Sequence, residues 1–174
     1  MRKMIDKSAG IAMLQGLAPI INAQTRVVIL GSFPGVASLT AQQYYAHPRN
    51  HFWPLLSAVL QQDLVSLSYS QRLAMLLQYG VGVWDVYAAC ERMGSADSAI
   101  RHAQTNSLTM LMQWAPHLQA AAYNGGRAWR LASQIKNCGL HAYCLPSSSA
   151  ANARHTFAYK LKVWQTVLQP YIGI

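Results

Sequence analysis

Acidic residues are what this chain most lacks: five Asp and Glu stand against fourteen Lys and Arg, a formal charge of +9 at neutral pH. Only 11% of the residues are charged at all, so the imbalance comes mainly from missing carboxylates. A surface so poor in acids attracts polyanions, of which nucleic acid is the commonest in a cell. Charge alone leaves open a basic protein whose net charge serves only solubility. Cysteine is scarce too. Cys90, Cys138 and Cys144 are odd in number and include no CxxC pair, which argues against a disulfide framework or a cysteine-based zinc site and suits a reducing cytosol. Long apolar runs are also missing. Asp6 and Gln15 interrupt the amino-terminal stretch, and nothing approaches the ~18 apolar residues of a membrane span. Neither a signal peptide nor an anchor is expected. No repeat, low-complexity tract or linker divides the chain, and its 174 residues with 52% hydrophobic content suit one well-filled domain spanning 1–174.

What the chain does have is alternation. RVVIL at 26–30, VGVWDV at 81–86, AAAYNG at 120–125 and HAYCLP at 141–146 are short apolar or aromatic runs that end at Gly or Pro, or run on without a polar alternate. Helical spacing fills the gaps over 51–61, 70–79, roughly 106–114, 126–137 and 153–168. Strands that are apolar throughout, alternating with helices, predict an α/β domain: three layers, α/β/α, around a central, mostly parallel four-stranded sheet. Ligands of such sheets sit beyond the carboxyl ends of the strands, so the loops after 30, 86, 124 and 145 are expected to converge on one site.

The densest chemistry follows the first strand, in GSFPGVASLTAQQYYAHPRNHFW at 31–53. Gly31 and Gly35 bracket Pro34, giving a stiff turn whose backbone can approach a ligand. An isolated GxxPG would be an ordinary β–α turn. Here it leads into Tyr44, Tyr45, His47, Pro48, Arg49, Asn50, Phe52 and Trp53, which supply flat stacking faces, a fixed positive charge and a carboxamide. Aromatic faces stack on a planar heterocycle and guanidinium groups bind phosphate. Trp53 suits a core position equally well. Further on, Asn124 ends a strand and precedes two glycines, presenting a donor and an acceptor where the backbone turns away. An Asn-Gly-Gly run is by itself more often a simple turn. LPSSSAANARH at 145–155 places Pro146, three serines and Asn152 before a basic helix, where hydroxyls and free N–H groups suit a phosphate, although Ser149 suits a helix cap as well.

These ordered motifs resemble the uracil-DNA glycosylase superfamily over roughly 19–165. Gly31, Pro34 and Gly35, then His47 to Trp53, resemble its first motif region, in which a GxxPG-like loop precedes HPxNxFW. Mismatch-specific members carry asparagine at the third loop position, where this chain has Phe33. Many members place histidine before Pro-Ser in a later loop, where this chain has Leu145. The branch that reads GSxPG, the hypoxanthine-DNA glycosylase group, looks closest.

That resemblance implies a glycosylase that flips a deaminated base, most readily hypoxanthine, out of DNA and hydrolyses its glycosidic bond, with Asn50 as the catalytic residue that orients water. It implies base contacts from Gly31, Ser32, Phe33, Tyr45, Phe52 and Asn124, with Phe52 stacking on the base and Asn124 reading its edge. DNA contacts are implied for Arg49, Pro146, Ser147, Ser148, Ser149, Asn152 and Arg154. The expected partner is damaged DNA. No metal or organic cofactor, no membrane association, a monomer and a cytoplasmic location, at the nucleoid if the source is bacterial, complete the reading. The run from Trp84-Asp85 to Gly94–Ser98 resembles the same group and receives no chemical role. Uracil excision remains open, as do a relative that binds nucleic acid without chemistry and an enzyme acting on free nucleosides.

Overall fold

The computed structural model describes residues 12–173. The first eleven residues, part of the stretch read above as neither signal peptide nor anchor, lie outside them. Strands β1 (Met13–Gln15), β2 (Val27–Gly31), β3 (Val81–Asp85), β4 (Tyr87–Glu91), β5 (Arg101–Thr105), β6 (Ala120–Asn124) and β7 (His141–Leu145) form two sheets. The larger has the order β3-β2-β6-β7, and its pairings are parallel. Flanking it are α1 (Val36–Ala41), α2 (Phe52–Leu60), α3 (Tyr69–Gln78), α4 (Leu111–Trp114), α5 (Gly126–Trp129), α6 (Ala132–Lys136) and α7 (Phe157–Leu168).

The four apolar runs are the four strands of this sheet; β2, β3 and β6 are buried on both faces, whereas the edge strand β7 is buried only at Leu145. Val27, Val28, Ile29 and Leu30 have no exposed surface, nor do Val81, Val83 and Ala120 to Tyr123. The chain leaves β2 towards β3 on one side and returns to β6 on the other. The direction of winding therefore reverses between β2 and β6, which opens a crevice beyond their carboxyl ends.

Helix limits follow local chemistry. α3 begins with a capping box, in which Ser68 Oγ accepts from Gln71 N and the Gln71 side chain accepts from Ser68 N. α7 starts at Phe157 and not at 153, because Thr156 caps it by accepting from Tyr159 N at 3.2 Å. Its buried Lys160, Trp164 and Leu168 recur every four residues and face inward. The expected helix over 126–137 is two short ones separated at Leu131, whose backbone leaves the helical region. The 106–114 segment is a 3-10 turn over Leu108–Met110 running into α4.

The small antiparallel sheet β1-β4-β5 is the element that periodicity missed. β5, RHAQT, is largely exposed and shows no apolar alternation, and β4 carries register shifts against it. This hairpin carries the GSADS run to the carboxyl edge of the larger sheet. Trp164 joins the layers: it is fully buried, meets Phe52 edge-on with ring centroids 5.9 Å apart, and donates from Nε1 to the Pro146 carbonyl at 3.0 Å. Trp164→Phe leaves that carbonyl without its donor and should cost about 1–3 kcal/mol in urea unfolding; an unchanged midpoint would show that the bond contributes nothing.

Candidate active site

The loops after β2 and β7 converge with the last residues of β3 and β6 on a cavity of about 610 Å³. The first loop contributes Gly31, Ser32, Phe33, Pro34 and Gly35, and the stretch before α2 adds Tyr44, Tyr45, His47, Arg49 and Asn50. Asp85 comes from β3, Ser95, Ala96 and Asp97 from the hairpin, Asn124 from β6, and Ser147 to Asn152 from the serine loop.

Gly31 sets the geometry. Its φ is not positive, so conformational freedom is not what glycine provides here. A Cβ at Gly31 would overlap Asp85 Oδ1 and stand 2.9 Å from Tyr45 Oη. The missing side chain therefore leaves room for both a carboxyl and a phenol at the end of the sheet. Gly125 does need its freedom: its φ is +101, and a Cβ there would meet Ser147 Cβ at 3.1 Å.

The aromatic floor differs from expectation. Phe52 has no exposed surface and does not line the cavity. Tyr45 lies flat on it, ring centroids 3.7 Å apart and planes 11° from parallel, while Trp53 and Trp164 meet Phe52 edge-on. Phe52 is thus the support, and Tyr45, stacked on it, lines the cavity in its place. Tyr45 adopts φ +54, a left-handed conformation that costs a bulky residue of order 1–3 kcal/mol and persists only where its surroundings hold it. The holding contacts are the stack and a hydrogen bond from Asn124 Nδ2 to Tyr45 Oη at 3.1 Å. Burial, then the nearby Asp85, push the phenol above its ordinary range, so it stays neutral.

Asn124 is already committed. Nδ2 also donates to Ser148 Oγ at 2.8 Å, and Oδ1 accepts from Ser148 N at 2.8 Å. The carboxamide therefore fastens the serine loop to β6 and to Tyr45. Asn50 is held differently: its Oδ1 accepts from Phe52 N at 2.9 Å, which fixes the group at the start of α2 and leaves a second lone pair on that oxygen. Phe33 borders the cavity, but its ring is 6% exposed and packs under the Arg92 guanidinium, 5.1 Å from the ring centroid.

In the serine loop, Ser149 N donates to Ser147 Oγ and Asn152 Nδ2 to the Ser147 carbonyl, both at 3.2 Å, which gives the loop its own internal frame. Ser147, Ser148, Ser149 and Asn152 line the cavity, and Arg49 is exposed at its rim. Pro146 and Arg154 do not line it; Pro146 anchors Trp164 through its carbonyl, and Arg154 is exposed beyond the loop. Leu145 is buried and outside the lining.

Sequence reasoning missed the acidic wall. Asp85, 4% exposed, is pushed up to about 7, first by burial and then by Asp97, against the pull of Arg92. Asp97 Oδ1 accepts from Ser32 Oγ at 2.6 Å, Ser95 Oγ accepts from Val36 N at 2.9 Å, and Arg92 donates to the Pro34 carbonyl. The GSADS run thus clamps the GSFPG loop. The available signal was position: Asp85 is the last residue of a strand whose carboxyl end faces the crevice. Lys160, also missed, is buried beneath the serine loop and donates from Nζ to the Ser149 carbonyl at 3.3 Å. Among the described residues no three His, Cys, Asp or Glu side chains are grouped to hold a metal ion.

Comparison with known proteins places this geometry. The profile described as "Uracil DNA glycosylase superfamily" matches residues 18–168. The chain belongs to the uracil DNA glycosylase superfamily. It is 38% identical over 140 residues to a hypoxanthine DNA glycosylase of Methanosarcina barkeri, covering 80% of this chain and 89% of that protein. A hypoxanthine DNA glycosylase of Methanosarcina acetivorans is 34% identical over the same shares. A solution NMR structure from Methanosarcina acetivorans, provisionally named a uracil DNA glycosylase, superposes with a TM-score of 0.84 at 31% identity, covering 92% of this chain and 99% of that one. The glycosylase is therefore a hydrolase of N-glycosidic bonds that acts on damaged DNA. None of its described helices is long and apolar enough to cross a membrane.

Two outcomes follow for the glycosylase. Gly31→Ala drives a Cβ into the Asp85 carboxyl and the Tyr45 hydroxyl, so it should lower stability by about 1–3 kcal/mol and reduce excision disproportionately; a variant with native activity would show that this close approach to Gly31 is dispensable. Asp85 has a folded pKa raised above its unfolded one, so between about pH 4 and 7 the native state binds the extra proton and stability falls as pH rises. Asp85→Asn should therefore gain stability relative to the native chain as pH increases through that window, as read by thermal melts. A constant difference would place the Asp85 pKa near its ordinary value.

Proposed function

We propose that this glycosylase excises hypoxanthine from deoxyinosine-containing DNA as a monomer, without a metal or organic cofactor. The observation that carries the reading is the Tyr45 ring in the cavity lining, backed by the stacked Phe52, with Asn50 and the serine loop lining the same cavity. A base in a duplex cannot be reached where it stacks, so it must be turned out and received on a new stacking surface. The outer face of Tyr45 serves that purpose, and the names of the curated relatives support a purine lesion as the base received.

Cleavage of an N-glycosidic bond passes through an oxocarbenium-like sugar and a departing base that takes the bonding electrons. Such a reaction needs a placed water and charge stabilisation more than a strong base. Asn50 supplies the water's orientation: Oδ1, immobilised by Phe52 N, accepts a water hydrogen through its second lone pair and holds the oxygen towards the sugar carbon. The hydroxyls of Ser147, Ser148 and Ser149, together with Asn152, Arg49 and Arg154, hold the phosphates beside the extruded nucleotide. Asn124 keeps Tyr45 and the serine loop in register, and presents its remaining lone pair to the base.

The test is single-turnover excision from duplex oligonucleotides bearing deoxyinosine, deoxyuridine or deoxyxanthosine. Deoxyinosine should be cut fastest. Asn50→Ala should slow that reaction about 10²-fold or more while losing only the roughly 0.5–2 kcal/mol of a helix-start hydrogen bond; near-native turnover would sink the assignment of Asn50, and preferential release of uracil would overturn the choice of lesion.

A further inference from the structure

In a chain with five carboxylates, two of them, Asp85 and Asp97, line the cavity. Their surroundings differ. Asp97 is exposed and accepts from Ser32. Asp85 is nine-tenths buried, Oδ1 lies against Gly31 beside the Tyr45 hydroxyl, and Oδ2 has no hydrogen-bond partner among the described residues. Arg92 gives one N–H to the Pro34 carbonyl and lies over the Phe33 ring, with Nε and Nη1 left without partners, and it makes no ion pair with Asp85 among the described residues. Burial without an ion-pair partner favours the neutral form of a carboxyl, and a neutral carboxyl is a hydrogen donor.

The other polar side chains of the floor are engaged: Asn124 with Tyr45 and Ser148, Asn50 with the start of α2. Phe33 and Leu145 are apolar and contribute no hydrogen-bonding side chain. Help for the departing base has to come from elsewhere, and Asp85 sits at the hydroxyl end of the Tyr45 ring, beside the edge of any base lying on that ring.

We propose that Asp85 is a further catalytic residue of this glycosylase, a neutral carboxylic acid that protonates N7 of the flipped purine as the glycosidic bond breaks; this rests on the purine reading given above. The step balances without a co-reactant. The Asp85 proton passes to N7, the C1′–N9 bond breaks with its electron pair going to N9, and the base leaves neutral instead of as an anion. Water adds through oxygen to C1′ and loses one proton to solvent, from which Asp85 is reprotonated. A pyrimidine has no N7, so this device favours purine lesions. Burial and Asp97 keep the acid protonated near neutrality, while Arg92 acts against them. Tyr44 and Tyr45 are the other titratable groups beside it, and His47 and Arg49 line the same cavity.

The experiment is the pH dependence of single-turnover deoxyinosine excision from about pH 5 to 9, in the native chain and in Asp85→Asn, Asp97→Asn and His47→Gln. The native rate should be level in acid and fall about tenfold per pH unit above a bend near neutrality, as for any acid that must carry its proton. Asp85→Asn should be slower by about 10²-fold on the level part and lose the bend. Asp97→Asn removes a charge that favours the protonated acid, so the bend should move to lower pH; His47→Gln should leave the bend in place. A native profile without the bend overturns the proposal. So does an Asp85→Asn profile that keeps it at a near-native rate, a bend that stays in place in Asp97→Asn, or one that vanishes in His47→Gln. If the native chain releases no hypoxanthine while cutting another lesion, the purine reading falls and the proposal with it; hypoxanthine release with an indifferent Asp85 leaves that reading standing and removes only the proposal.

Discussion

The site depends on the absence of a side chain at Gly31. β2 is the strand at which the winding of the sheet reverses, and its last residue is where a crevice must open. Because no Cβ projects there, the Asp85 carboxyl from the neighbouring strand and the Tyr45 hydroxyl from the following loop occupy one small volume. Tyr45 is then close enough to Asn124 for a hydrogen bond, and Asn124 passes the constraint to the serine loop through Ser148. Three loops far apart in sequence become one rigid surface. The left-handed backbone of Tyr45 is the strain this convergence imposes, and the Phe52 stack offsets it.

Acid poverty and active-site chemistry are connected. A surface short of carboxylates suits a polyanionic substrate, and the few carboxylates kept are informative by position. Asp63 is exposed and accepts from Ser66 N in a loop, and Glu91 pairs with His102 at 2.9 Å on the small sheet. Asp85 and Asp97 line the cavity. Hydrolysis that needs a placed water and a stabilised leaving group more than a strong base can proceed with so few acids.

The sheet was legible in the sequence because 26–30, 81–86, 120–125 and 141–146 correspond to β2, β3, β6 and β7; burial on both faces writes the apolar runs of the first three, and the edge strand β7 shows itself by its Ala, Tyr, Cys and Leu ahead of Pro146. Convergence at their carboxyl ends followed from the parallel arrangement. Two things were not legible. In a run holding Tyr44, Tyr45, Phe52 and Trp53, composition does not say which ring faces outward; that is decided by the backbone at Tyr45 and by Phe52 lying on the buried side of α2, against Trp164. Asp85, inside VGVWDV, reads as one polar residue in an apolar strand, and only its register beside Gly31 gives it a place in the cavity. The GSADS run stayed without a role because the exposed, polar strand β5 that positions it carries no periodic signal.

The central claim, that a flipped purine lies on Tyr45 with its sugar beside Asn50, is tested most directly by a crystal structure with duplex DNA carrying 2′-fluorinated deoxyinosine, whose fluorine resists cleavage. The account predicts the hypoxanthine ring stacked on the outer face of Tyr45, its N7 edge towards Asp85 and its C1′ within one water of Asn50. A base held elsewhere, with Tyr45 closing the cavity against it, would contradict the account.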